Sequence, residues 1–406
     1  MNLRKVALWI LAVIMLLPLA CGDRDNPADP EDIPHGLVFE YPRIYNSDET
    51  APGDRPNWVN WRVRPAWIYT PPGYIFDPPG EGPKFPILYL LHDMGAAQDS
   101  AASYLFSRMD YVADKLIASG EIQPMIIVTV DASTPVGGSF YTDGYSLWNA
   151  NPQVEKRPAG NFETMIASSL IHIMEDEVTQ GYRPLSVVGT RASRAIGGFG
   201  MGGYGALKIA LKHPDLFSSV SISDGFVSFD NGLETLIDKV FEENGVNKGD
   251  RDAFMANVDT SYSKPFTTLF YSMACAFSPH DSTGDYEETF MADYGVDFPF
   301  DYQGNIVQSV WDLWLEHDLT STLLTTYGEH LDSTELYFEY SDENEFNTST
   351  QSAAFEQQLQ SLDADYEKAT FSGYTGYPAE KGRFTFERLA EILKFHSSKL
   401  SNDPGL

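Results

Sequence analysis

Glycines at 198, 200 and 202 crowd one short stretch, Ala195-Ile196-Gly197-Gly198-Phe199-Gly200-Met201-Gly202-Gly203-Tyr204-Gly205-Ala206-Leu207. It reads as strand, tight turn and helix. A Gly-x-Ser-x-Gly turn on that scaffold holds a serine hydroxyl at the head of a helix, where it attacks an acyl carbon. Here the central residue is Gly200, which carries no attacking atom. Such chemistry also needs a histidine base, a carboxylate to orient it and backbone N–H groups for the oxyanion. Met201, directly after the turn, is a candidate donor. The loop His92-Asp93-Met94-Gly95 is the candidate for the second, with the Asp93 N–H as donor and its carboxylate as a repulsive neighbour of any anion. His92 precedes the turn and is expected to order that loop by hydrogen bonding.

The surrounding elements must place these residues. Arg62 to Tyr69 and Phe85 to Leu91 read as early strands around the turn cluster 69–74. Pro86 to Leu91 and Met125 to Val130 are apolar throughout, the pattern of strands covered on both faces. Residues 103–119 and Phe162 to Val178 have apolar positions at helical spacing. Ala195 to Phe199 and Ser219 to Ser223 are further strands, with a helix over Gly203 to Lys212 between them. The alternation predicts a mostly parallel sheet with helices on both faces. A long acidic segment, about 226–334, interrupts it as a lid-like insertion. The pattern resumes with a strand at 336–340, a helix at 350–362, a strand at 366–371 and a closing helix at 384–400.

Four stretches together resemble the Putative esterase family, the esterase D and feruloyl-esterase-like α/β hydrolases: Tyr69-Thr70-Pro71-Pro72-Gly73-Tyr74, Ile87 to His92, Arg194 to Leu207, and His213-Pro214-Asp215-Leu216-Phe217. Within the insertion, Ala276 to Pro279 and Val310 to Asp318 resemble a subgroup. The resemblance runs from about residue 36 to 400. It implies the α/β-hydrolase fold and carboxylic-ester hydrolysis, and it puts the serine of the triad on Gly200. It puts the acid on Asn344, in Ser341-Asp342-Glu343-Asn344-Glu345-Phe346. The histidine belongs in the loop Phe371 to Tyr377, which has none and ends at Tyr377. His396, the only histidine after His330, is expected on the surface of the closing helix. The expectation is an inactive esterase-like protein that binds a small molecule, saccharide or protein in the former cleft, with Tyr141, Tyr145, Trp148, Trp311 and Trp314 as candidate lining. The alternative is an active ester hydrolase with a relocated triad drawn from Ser193, Ser223 or Ser341 with Asp342 or Glu343.

Residues 1–20 read as a secretion leader: Arg4 and Lys5, then the apolar run Val6 to Leu17, too short for a confident membrane span. Pro18-Leu19-Ala20-Cys21 resembles a bacterial lipobox. That resemblance implies cleavage before Cys21, lipidation of Cys21 and a place in the cell envelope, at the outer membrane or facing the periplasm. Residues 21–36 are acidic and proline-rich, the composition of a tether, and 37–400 form the main domain. A formal net charge of -31, from 27 Lys+Arg against 58 Asp+Glu, disfavours nucleic acid as a partner. Cys275 lies in an apolar helical stretch and reads as a buried structural thiol. No cofactor is expected. No metal set is expected either: His280-Asp281 and His317-Asp318 are isolated pairs, and the acids at 285–288 lack ligand spacing.

Overall fold

In the computed structural model, the described residues are 33–45, 63–75, 82–95, 109–134, 137–144, 160–176, 184–257, 263–279, 296–362, 369–374, 386–403 and 405. Eight strands form one sheet: β1 (Leu37–Tyr45), β2 (Val63–Thr70), β3 (Ile87–Leu91), β4 (Ile126–Val130), β5 (Arg194–Phe199), β6 (Ser219–Ser223), β7 (Glu335–Ser341) and β8 (Ala369–Tyr374). Their order is β1-β2-β4-β3-β5-β6-β7-β8. β2 is antiparallel to both neighbours, and from β4 onward every pairing is parallel. β3 and β4 are buried at every position, as their unbroken apolar sequences require.

β1 was not expected. Pro42 breaks its apolar alternation and cannot donate to a ladder, so it is tolerated only on an edge or at a bulge. Both conditions hold: β1 is an edge strand, and its register with β2 shifts between Tyr41 and Ile44.

The helices are α1 (Met109–Ala118); α2, in which Phe162–Thr164, Met165–Leu170 and Ile171–Glu175 run on with a π segment in the middle; α3 (Met201–Lys212); α4 (Ile237–Asn244); α5 (Arg251–Asn257); α6 (Pro265–Phe277); α7 (Gln308–Leu315); α8 (Leu324–Tyr327); α9 (Thr348–Ser361); and α10 (Phe386–Lys399). Two apolar cores flank the sheet. Met109, Val112 and Leu116 of α1 and Leu389, Ile392 and Leu393 of α10 pack with Leu88, Leu90 and Ile127 on one face. The larger core joins Ile87, Tyr89, Leu91 and Ile196 to α2, α3 and the helices between β6 and β7.

Those intervening helices are bonded to the elbow helix through aromatic rings. The Tyr204 ring of α3 lies 6.3 Å from Phe229 and 5.9 Å from Phe277, and Phe277 lies 5.9 Å from Trp314. Trp311 and Trp314, expected at a cleft wall, are buried core residues. Trp314 stacks on Phe270 and donates its indole N–H to Ser278 Oγ at 2.8 Å. Cys275 is buried.

Candidate functional site

β5 delivers the chain into the turn, and α3 carries it away. Gly200 caps α3 at φ +51°, ψ −116°, a conformation that side-chain-bearing residues adopt only under strain. Its N–H donates to Ser223 O at 2.8 Å, and its carbonyl accepts from Tyr204 N at 3.0 Å. The turn is tight because Gly202 has no side chain: a Cβ there would stand 2.1 Å from Leu91 O. The first turn of α3 therefore rests directly on the end of β3.

The end of β3 brings Asp93 to the elbow. Its Oδ1 accepts from Met201 N at 2.8 Å and from Met94 N at 2.7 Å. Met201 N–H, the candidate oxyanion donor, points at this carboxyl. A Cβ built on Gly200 would lie 2.0 Å from Asp93 Oδ1, 2.3 Å from Cγ and 2.4 Å from Oδ2. The carboxyl thus fills the volume in which a side chain at position 200 would begin. Enclosure pushes the Asp93 pKa up to about 7, against the opposing pull of the Met201 and Met94 amides, with Asp224 adding to the rise. No described residue makes an ion pair with Asp93.

His92 orders its loop. Nε2 accepts from Ala132 N at 2.8 Å, so Nδ1 carries the proton and donates to Asp93 O at 2.7 Å. Both nitrogens are committed, and burial lowers the pKa of the ring. Tyr141 Oη donates to His92 O at 3.1 Å. Phe140 and Tyr141 both have positive φ, 48° and 45°, which is unusual for aromatic residues. Phe140 N donates to Met201 Sδ at 3.3 Å. Lys208 of α3 holds this bent segment by donating to Tyr141 O and Thr142 Oγ1, and it pairs with Glu163 Oε2 at 3.1 Å. Tyr141 is fully buried here rather than exposed in a cleft.

Beneath the turn lies a buried charged network. Arg388 of α10 donates through Nε to Glu339 Oε1 at 2.7 Å and through Nη1 to Asp224 Oδ2 at 2.5 Å. Glu339 also accepts from Ser223 Oγ and Tyr337 Oη, and Asp224 accepts from Ser341 N. The Arg388 guanidinium sits 5.5 Å from the Phe199 ring centre. Sequence reasoning missed this network, whose members come from four separate elements.

The other expected positions fall as follows. Asn344 is buried, and its Oδ1 accepts from Phe346 N at 2.8 Å within its own turn. Asp342 and Glu343 are exposed. Ser193 Oγ donates to Thr190 O, Ser223 Oγ to Glu339, and Ser341 Oγ accepts from Glu343 N. Tyr377, Cys21, Tyr145, Trp148, His280 and the acids at 285–288 lie outside the described residues. His396 corrects the expectation of a surface histidine. It is fully buried, bonded through Nδ1 to Ser219 Oγ at 2.9 Å and through Nε2 to Ser221 Oγ at 2.8 Å. Its spacing from Leu389, Ile392 and Leu393 continues one helical face, a signal that was present in the sequence. Asp318 is a buried cap that accepts from Ser321 N and Phe229 N, so the His317-Asp318 pair is structural.

The sheet order, with a nucleophile-type elbow after β5, is that of an esterase scaffold. A family model described as "Putative esterase" matches residues 61–377. The chain belongs to this esterase family. Among curated relatives of this family chain, Esterase Rv1288 of Mycobacterium tuberculosis is 31% identical over 144 residues, 36% of this chain and 26% of that protein. The endo-1,4-beta-xylanase/feruloyl esterase of Xylanibacter ruminicola is 25% identical over 211 residues, 52% of this chain and 24% of that protein. The matched part thus spans about a quarter of each relative's length. A solved ferulic acid esterase overlaps 90% of this chain and 99% of its own, at 20% identity and a TM-score of 0.48.

Proposed function

We propose that this esterase-family chain does not hydrolyse esters through its elbow, and that it binds a ligand or partner through the former active-site cleft while tethered to the cell envelope by a lipid on Cys21. The observation that carries this reading is the Asp93 carboxyl, seated on the Met201 amide over a residue with no side chain. An acyl group approaching the elbow meets no nucleophile, and the amide that would stabilise its oxyanion is already hydrogen-bonded. Removing nucleophile or base in a related triad costs on the order of 10⁶ in turnover.

Further observations support it. Asn344, at the acid position, is committed to a local turn. Of the serines considered as substitutes, Ser193 bonds the Thr190 carbonyl, Ser223 the Glu339 carboxylate, and Ser341 accepts from the Glu343 amide. A serine–histidine contact does occur at His396, but it is sealed inside the core. Pure protein should therefore leave p-nitrophenyl acetate and p-nitrophenyl butyrate unhydrolysed and resist fluorophosphonate labelling. Stoichiometric labelling on a serine would overturn the reading.

The envelope assignment rests on the lipobox-like Pro18-Leu19-Ala20-Cys21 alone. In a bacterial host, the chain should take up radiolabelled palmitate and sediment with membranes, and Cys21→Ala should do neither. Equal sedimentation of the Cys21→Ala variant would remove the anchor from the proposal.

A further inference from the structure

A serine elbow is built to donate. Backbone N–H groups and the helix terminus converge on a developing negative charge. In this chain that donor set is turned inward. Asp93 Oδ1 takes both Met201 N–H and Met94 N–H, which fixes the carboxyl in orientation. Its second oxygen, Oδ2, lies 2.4 Å from where a Cβ on Gly200 would stand, in the space a nucleophile would use. Among the described residues nothing donates to Oδ2. Arg388, below the turn, is occupied by Asp224 and Glu339, which leaves two carboxylates against one guanidinium there. A half-buried carboxylate without a cationic partner is electrostatically costly, and a cation that supplies the missing charge relieves that cost. The long-range field has the same sign, since the chain carries a formal net charge of -31.

We infer that Asp93 inverts the polarity of the elbow, making it a subsite for a primary ammonium group that pairs with Oδ2 beside Gly200, where an esterase would carry its nucleophile. The inference rests on the reading that the former cleft binds a ligand, and it names the chemistry of that ligand. Oδ1, held by two amides, fixes the orientation of the partner oxygen that would meet the ammonium. The absence of a Cβ at 200 is part of the subsite, because any side chain there would displace the carboxyl.

The test uses n-butylammonium as probe and butyrate as the isosteric anion, read by thermal melting at pH 8 with ionic strength held constant. The full chain should melt higher with increasing n-butylammonium and be unaffected by butyrate. Asp93→Asn keeps the Oδ1 acceptor and removes the charge, so it should lose the n-butylammonium shift. Asp93→Ser, checked with the Asn variant by circular dichroism, should lose it too and covers the case in which one of them misfolds. A shift that persists in both folded variants would overturn the assignment, since the cation would then be binding elsewhere on the acidic surface. A butyrate shift equal to that of n-butylammonium, or no shift with either probe, would overturn it as well. Turnover of p-nitrophenyl esters, measured on the same samples, fails the inactive-elbow reading and is independent of these arms.

Discussion

Gly200 and Asp93 are 107 positions apart in the chain but compete for one volume, so their identities are interdependent. Gly200→Ser must hold a side chain at φ +51° and also displace the Asp93 carboxyl. A cost of about 1–3 kcal/mol is expected from the backbone term alone, visible as a lowered midpoint in urea, with fluorophosphonate labelling still absent. Robust labelling of that single variant would reveal a base and acid in working positions. Asp93 also has a pH signature. Its pKa rises from an ordinary 3.8 to about 7 in the folded protein, first through burial and then through Asp224, while the neighbouring His92 stays neutral. Between those values the folded state holds a proton that the unfolded state releases, so this group's contribution to stability falls as pH rises from about 4 to 7. Asp93→Asn should remove that dependence, and a denaturation series across the window compares the two slopes. The glycine pattern of the turn was legible from sequence because it is local. The direction of the Asp93 carboxyl was not, because it is set by a contact between the ends of two strands.

At the level of elements, the elbow is gripped from two sides. The bent segment with Phe140 and Tyr141 clamps it from α3 through Lys208, and α10 braces it from below through Arg388. Breaking a buried ion pair by removing one partner costs about 3–5 kcal/mol, because the remaining charge is left unpaired. Arg388→Leu, which strands both Asp224 and Glu339, should lose at least that much in a urea titration, and a change below about 1 kcal/mol would show the network to be dispensable. The strands β3 to β7 and the closing helix could be read from apolar runs and periodicity. β1 could not, because Pro42 hides it. The faces of α10 were read wrongly: His396 was counted as a polar surface residue although it continues the apolar stripe of Leu389, Ile392 and Leu393. A buried histidine of this kind is revealed only by its partners, here Ser219 and Ser221, and they are 177 and 175 residues away.

For the whole molecule, acid is the informative stress. Burial pushes His317 and His396 down to about 3 and lowers His92, so all three are neutral in the folded chain at pH values where unfolded histidine is already charged. The unfolded state then binds more protons, and these groups lose stability as pH falls from about 6.5 toward 3. Asp93 and Asp318, both raised by burial, act in the opposite sense over part of that range, but Glu163, held low against burial by His213, Lys208 and Lys212, adds to the histidines. Net acid destabilisation is expected, with the melting temperature dropping steadily below pH 6. His396→Gln retains hydrogen bonds to Ser219 and Ser221 and removes one of the three protonations, so its melting temperature should fall less steeply with acid than that of the unaltered chain. An identical slope would place the acid sensitivity elsewhere.

Ser219, Ser221 and Ser223 alternate along β6 and face the same side of the sheet, and each finds its partner in a later part of the chain: His396 for the first two and Glu339, held by Arg388, for the third. During synthesis on the ribosome, this strand therefore emerges with three hydroxyls whose partners come later: Glu339 of β7 for Ser223, and His396 of α10 for Ser219 and Ser221. An apolar strand could collapse early against whatever is nearby, but this one has reason to stay hydrated and wait. The order of translation thus makes α10 a timing device, since it seals the middle of the sheet only after every strand beside it is in hand.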